Sequence, residues 1–584
     1  MASTSHDHAT GNRRQGLNGP TMEQERMAGE SRPFCRKGQL LHCRFGKQFC
    51  FQPYLLLVTP TVISAGKNPH MKSPYPSLSA WLLAGALFSL APSAFAAQRV
   101  PSEHSKASPA VVVPSWRAAG FPAAQVSRLQ YREMSAARIL KVQQHNATRR
   151  MKPVQIGIAR VASIEGVARA LPALRWRPVR NRGSVAHLEI TSPVALGLRV
   201  GLKVDGLDPR AELRFAGSAD PSRVVAMMTG REIRRLADAK AVFWTPSTDG
   251  EKQLIEVYLP AGVPHDAVRL QAPQLSHLLA NSLNDFKIIR KIGESESCNV
   301  DTACRVGELG ADFVNAKNAV AHMNFVVDGD GYICTGTLLA DNVTTSQIPY
   351  FYSASHCIDN QTVASTLNTF WKFEATACNS GVVAAKVQLA GGATYLYSDP
   401  DTGTTTVNGT DGLLLRLNNT PPAGAEFAGW DSAPLAGSSN IIGIHHPAGD
   451  VKKVSSGKQM AVDAYQNAVA WLSGTTEGGS SGSGLFTADA TGYHLRGGLY
   501  GGSALCVNSG STANPDNRDY YSRFDVVFPH IQQWLAPAPP TRIRVHGSQP
   551  RVPGRPAAVV PAAAALPVNK VSPRILVRTR IYQP

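Results

Sequence analysis

At 584 residues the chain is too long for one compact core, since domains usually run to about 100–200 residues, and several segments are expected. Its net charge of +18 would suit a nucleic-acid or membrane partner if it were spread evenly. Instead, residues 294–535 hold 22 Asp and Glu against 11 Lys and Arg, so the basic excess lies outside an acidic stretch and no nucleic-acid partner is expected.

Residues 1–70 are polar and basic without periodicity and precede Met71, so they read as an over-extended start, the other reading being a cytoplasmic extension. After Met71 come Lys72, an apolar run over 80–88, and then Ala94, Phe95 and Ala96. A basic start, a short hydrophobic core and small residues at a cleavage point are the pattern of an export signal. The run falls short of the ~20 apolar residues of a membrane span. Residues 71–96 are therefore expected to be removed after Ala96 and the remainder secreted.

From 97 to 153 the chain is rich in Ser, Ala and Arg; one helix is expected over 123–142, and the rest reads as a poorly ordered lead-in. In the segment 154–291, alternating or β-branched runs at 186–190, 198–204 and 254–259 are separated by Gly, Pro and Asp, which predicts a small β-sandwich. Its place ahead of the acidic domain favours a pro-region over a module for a surface ligand. An acidic domain flanked by basic segments suits an enzyme drawing in cationic substrates and a pro-segment docked partly by charge; a solvated surface of no consequence accounts for the same asymmetry. Residues 536–584 are rich in Pro, Ala and Arg, with eight Lys and Arg and no acid. Such a tail cannot bury a core, reads as disordered, and offers no membrane anchor.

The nine cysteines form two groups, Cys35, Cys43 and Cys50, then Cys298, Cys304, Cys334, Cys357, Cys378 and Cys506. An even set of six in an exported domain implies three disulfides, because an oxidising compartment favours pairing. Zinc binding is the weaker reading, since the short spacing from Cys298 to Cys304 has no matching His or Cys pair.

Serine nucleophiles need a base, an acid that orients the base, and amide donors for the oxyanion. The glycine-rich turn 478–484 can hold Ser481 exposed and point the amides of Gly479 and Ser481 at a developing oxyanion, although Gly/Ser runs are more often linkers. His356 sits beside Cys357, after the aromatic strand at 350–352 and the run Gly336, Thr337, Leu338, Leu339. This constellation resembles that of chymotrypsin-like proteases, in which the cysteine after the histidine pairs with one just ahead of the preceding strand; Cys334 stands there. That fold runs His, Asp, Ser along the chain. Asp411, followed by the apolar run 412–417, fits the middle place, with Asp399, Asp401 and Asp431 as rivals that lack such a strand.

Within this class, residues 292–535 resemble bacterial lysyl endopeptidases through the runs 297–301, 355–357, 428–431, 444–447 and 479–483. The resemblance implies an all-β fold, a chymotrypsin-like double β-barrel behind the β-rich pro-region, and the disulfides Cys298 with Cys506, Cys304 with Cys378 and Cys334 with Cys357. It implies no cofactor. His445 and His446 lack Cys or carboxylate partners at ligand spacing, so a structural role is expected and no metal.

Trypsin-like selectivity uses an Asp six residues before the nucleophile, where this chain has Thr475. Lysyl endopeptidases place the acid downstream, and Asp519, with Tyr521 and Arg523, reproduces that spacing; Asp516 is the rival and pairing with Arg518 the bland alternative. Where the family has Leu-His-Gly-Gly in the strand bordering the substrate, this chain has Leu499, Tyr500, Gly501 and Gly502. The glycines remain able to pair with substrate, but strict lysine preference is put in doubt. Ser480 occupies the place of the Asp that pairs with a buried amino terminus in other zymogens, so activation by removal of the pro-region is expected, with autoprocessing after Lys291. The reading is a secreted, monomeric endopeptidase acting on proteins and peptides after Lys or Arg. The rivals are an inactive homologue serving as a binding or adhesion protein, and a protease of glutamyl endopeptidase type.

Overall fold

The computed structural model describes residues 97–538, apart from 107–113, 119, 121–122, 149–152, 167–170, 180–182, 283–293, 344 and 404–405. The expected cleavage points at Ala96 and Lys291, the early cysteines and nearly all of the tail lie outside the described residues. Among the described residues no helix is long and apolar enough to cross a membrane.

Residues 126–278 build a two-sheet sandwich. One sheet orders Ala226–Thr229, Glu212–Gly217, Lys252–Leu259, Ser184–Thr191 and Val126–Gln130; the other orders Val242–Trp244, Gly197–Asp205, Arg269–Leu278 and Gly157–Val161. Alternate side chains such as Leu188, Ile190, Leu213 and Phe215 meet Leu198, Val200 and Leu202 in one buried cluster, as the period of two in a half-buried strand requires.

The lead-in is a correction to the sequence reading. No helix spans 123–142: Val126–Gln130 is a strand, and the helix is Ala136–Thr148. Val126 and Leu129 are buried, and the strand runs parallel to Ser184–Thr191, a long-range pairing that outweighs local helix propensity. Further upstream, Arg99–Val100 and Glu103–His104 add short strands beside Trp430 and Phe427, so this stretch is docked where the sequence suggested loose order.

Residues 320–538 form two antiparallel β-units. The first wraps seven strands of its own, among them Val320–Val327, Asp330–Leu339, Tyr350–Ala354 and Gly412–Leu417, around Met323, Phe325, Leu338 and Leu415. An eighth strand, Val154–Gln155, comes from the sandwich side. The second unit is a closed ring of six strands, Asn440–His445, Lys453–Val462, Gln466–Ser473, Asp519–Ser522, Gly492–Gly502 and Gly484–Asp489. Closure removes exposed sheet edges.

Between the units, Leu339, Tyr352 and Leu414 from the first meet Ile444, Phe486 and Leu495 from the second. The helix Phe524–Leu535 seals this seam with Phe524, Val527, Phe528 and Ile531. Disulfides join Cys298 to Cys506, Cys304 to Cys378 and Cys334 to Cys357, closing loops of 208, 74 and 23 residues in sequence separation. Each restricts the unfolded chain and stabilises by about 2–4 kcal/mol.

Candidate active site

The site lies where the two β-units meet. Leu413, Leu414 and Leu415 are fully buried, which pins the strand Gly412–Leu417 and the residue that leads into it. Asp411 takes the left-handed backbone at φ 62°. Its amide donates to the Asp399 carbonyl at 2.7 Å. Its side chain accepts from the His356 amide at 2.9 Å and from His356 Nδ1 at 2.6 Å. Burial pushes the Asp411 pKa up, and the contact with His356 opposes that shift. With Nδ1 donating to the carboxylate, Nε2 is left as the basic nitrogen of the neutral ring.

His356 is held from both sides in sequence. Ser355 donates its amide to the Asp411 carbonyl at 2.8 Å, and Cys357 is bonded to Cys334 in the neighbouring strand. Cys334, His356 and Cys357 lie close together, but that disulfide occupies both sulfurs.

Ser481 sits in a turn whose flanking glycines are needed for space and backbone. Gly479 and Gly482 have φ of 90° and 77°, and a Cβ on Gly482 would lie 2.1 Å from Ser353 Oγ. Thr335, in the strand Asp330–Leu339, donates its amide to the Ser481 carbonyl at 2.8 Å and its hydroxyl to the Gly479 carbonyl at 2.9 Å. Among the described residues, the amides of Gly479 and Ser481 find no backbone acceptor. The sequence reading has Ser481 exposed, whereas packing of the turn against the strand Asp330–Leu339 buries it fully; Ser481 Oγ and His356 Nε2 are both buried, and neither has a hydrogen-bond partner among the described residues. The histidine–aspartate link is made and the serine–histidine link is open, as is common before substrate binds.

The rival acids go elsewhere. Asp399 accepts from the Thr410 amide and hydroxyl at 2.9 and 2.7 Å. Asp401 accepts from the Gly403 and Asn408 amides, each at 3.1 Å. Asp431 pairs with Arg496 at 2.9 Å and also with Arg99.

Tyr500 stands edge-on to the His356 ring at 6.0 Å, and burial pushes its pKa up to about 12, with Asp401 adding to the rise. Beyond it, Gly501 and Gly502 pair with Tyr520 and Asp519 of the next strand. Asp519 is fully buried and accepts from Trp471 Nε1 at 2.7 Å and from the Thr476 hydroxyl at 2.6 Å. Asp519 is thus buried and not on a surface loop, and Arg518 donates to the Asn514 and Asn517 carbonyls. Asp516 is exposed.

The partners of several groups at the site are not legible in the sequence, those of His445 and His446 among them. His445 bridges Ser480 Oγ at 2.9 Å and Ser455 Oγ at 3.0 Å, fixing the residue before Ser481. Ser295 and Glu296, near the start of the domain, donate to Asp450 and Glu477. His446 stacks on Phe373, and burial drives its pKa well below the usual histidine value. Only the adjacency of His445 to a Ser-rich turn in space, invisible in sequence, could have pointed to the first of these.

A double β-barrel with a histidine, an aspartate and a glycine-flanked serine at the seam defines the class: this is a serine endopeptidase of chymotrypsin-like fold. Residues 292–522 match the family model of the lysyl endopeptidase C-terminal domain, and residues 130–279 that of the lysyl endopeptidase N-terminal domain. A lysyl endopeptidase of Pseudomonas aeruginosa is 35% identical over 401 residues, covering 66% of this chain and 82% of that protein. The chain belongs to the lysyl endopeptidase family. Among solved structures, an inactivated protease paralogue of the scabies mite shares 11% identity at a TM-score of 0.26, over 38% of this chain and 95% of its own. The inactive form of a M. tuberculosis protein shares 12% at 0.24, over 39% and 92%.

Proposed function

We propose that the chain is an exported endopeptidase that cleaves after Lys, and after Arg to a lesser degree, with Ser481 as nucleophile, His356 as general base and then acid, and Asp411 as its orienting partner. The observation that carries this reading is the 2.6 Å contact of His356 Nδ1 with Asp411, set at the seam that also holds Ser481. In the reaction, His356 Nε2 takes the Ser481 proton as Oγ attacks the carbonyl carbon, and then gives it to the departing amine. The amides of Gly479 and Ser481 receive the developing oxyanion. Gly501 and Gly502 align the acyl side of the substrate.

Asp519 is the proposed counter-charge for the cationic side chain, where a buried carboxylate gains from reduced screening. The sandwich and its lead-in are the proposed pro-region, removed by a cut after Lys291. The test is to label the purified protein with a serine-reactive fluorophosphonate and map its cuts in a denatured protein mixture. Labelling lost in Ser481→Ala and cuts after Lys and Arg are expected; labelling that survives that substitution, or cuts after acidic residues, refutes the assignment.

A further inference from the structure

The N-terminal module meets the barrel at a place that bears on catalysis. Val154 and Gln155 pair antiparallel with Ile333 and Tyr332, and the Ile156 amide donates to the Gly331 carbonyl at 2.8 Å. The two backbones approach so closely that a Cβ on Gly157 would lie 2.9 Å from Gly331 Cα. Ile333 is buried among Met134, Val142, Ile156, Ile158 and Leu278, all from the module. Its Cδ1 would lie 3.3 Å from a Cβ on Gly479, and two residues further along the strand Thr335 holds the carbonyls of Gly479 and Ser481.

This contact lies on one side of the nucleophile only. By the assignment above, the acyl half of a substrate runs along Tyr500, Gly501 and Gly502, in a strand that pairs with barrel strands alone among the described residues. The departing half must leave Ser481 on the other side, past the Cys334–Cys357 bridge and the edge at Gly331 to Ile333. An extended peptide there would use the same backbone groups that Val154 to Ile156 use now.

We infer that the module blocks the leaving-group side of the site by strand addition at Gly331 to Ile333 and leaves the acyl side open. The inference rests on the catalytic assignment above and deepens it. The docked chain then discriminates by substrate length: a lysyl p-nitroanilide, which has nothing beyond the scissile bond but the small leaving group, is turned over, while a peptide extending past the lysine is refused.

The full chain, confirmed by gel filtration to retain its module, is compared with Val154→Asp, which puts a charge at the edge of the added strand, and with Arg199→Met, which loosens the module through its bonds to Asn324 and Thr366 and leaves the added strand itself unchanged. Active sites are counted with a fluorophosphonate. The expected result is that p-nitroanilide turnover per labelled site changes by less than about twofold, while cleavage of a peptide with several residues after the lysine rises by about tenfold or more, the loss of roughly one strand hydrogen bond and its packing. Equal gains on both substrates, or no gain on the long peptide in either variant, would overturn the leaving-side block while labelling leaves the catalytic assignment standing. Absence of labelling in every form would overturn that assignment, and this inference with it.

Discussion

Thr335 and Ser481 join the two β-units at the candidate nucleophile: the Thr335 amide donates to the Ser481 carbonyl at 2.8 Å. The Thr335 hydroxyl adds a bond to the Gly479 carbonyl and accepts the His446 amide at 3.2 Å. Replacing Thr335 by Val keeps the shape and the amide but strands two buried backbone groups. A stability loss of about 1–3 kcal/mol in chemical denaturation is expected. Because the Gly479 amide loses its aim, kcat should fall on the order of tenfold or more with KM little changed.

Asp411→Asn tests the His356 contact separately from packing. The amide is nearly the same size, so the disulfides and fold should be kept, but its nitrogen faces a ring nitrogen that is now a donor. The ring then favours the tautomer with the proton on Nε2, which cannot accept from Ser481. A fall in kcat on the order of 10⁴-fold is expected in steady-state kinetics, with thermal stability within about 2 kcal/mol of the parent.

How far these groups could be read from sequence depends on range. His356 beside Cys357, Asp411 ahead of an apolar run and Ser481 among glycines are local patterns, and the fold brings Asp411 onto His356. Thr335 lies in an unremarkable strand, and only folding sets it 2.8 Å from a carbonyl far along the chain. The His445 to Ser480 bond, at 2.9 Å across 35 residues, is of the same kind. Val126–Gln130 departs from the expected helix for a related reason: the Ala and Arg around it favour helix, while its partner strand begins near residue 184. The sandwich strands were legible because β-branched alternation and Gly or Pro punctuation are local signals.

Asp519→Asn separates charge from shape in the proposed pocket. Asn keeps an oxygen for Trp471 and Thr476, so the wall should survive. A substrate cation would lose its counter-charge, and kcat/KM for lysyl substrates should fall by roughly 10²–10³-fold. The cost for an uncharged side chain at the same position should be within about threefold. An equal loss for both substrate types would assign Asp519 to structure alone.

Arg199 anchors the module. Its guanidinium is buried, donates to the Thr245 carbonyl at 3.0 Å and crosses to Asn324 Oδ1 at 3.1 Å and to the Thr366 carbonyl. Burial pushes its pKa down to about 9, and the group still carries its charge at neutral pH. Arg199→Ala leaves buried acceptors without a donor, and module docking should weaken by about 2–4 kcal/mol. The measure is module undocking of the full chain in mild urea, followed by hydrogen exchange of the barrel amides that the module covers.

Lys386 lies on the barrel face that the module covers, in a cavity lined by Ile156, Ser247, Ala280 and Ser282 of the module and Phe370 and Phe373 of the barrel. Its ammonium sits 4.6 Å from the centre of the Phe373 ring and has no hydrogen-bond partner among the described residues. Burial pushes its pKa down to about 8 from 10.5, with Asp249 opposing and Arg223 adding to the fall. The docked, folded state therefore holds fewer protons than the unfolded state between pH 8 and 10.5, and stability contributed at this residue rises with pH across that window. Below the docked pKa the penalty for the buried charge is complete, and above the unfolded pKa it is gone. Lys386→Met removes the penalty at every pH. The variant should exceed the parent by about 2 kcal/mol near neutrality, allowing for partial solvent screening, and the gap should close as the pH approaches the upper end of the window. Urea melts of the full chain and Lys386→Met at a series of pH values check this, and a gap that stays constant with pH would place the ammonium in water.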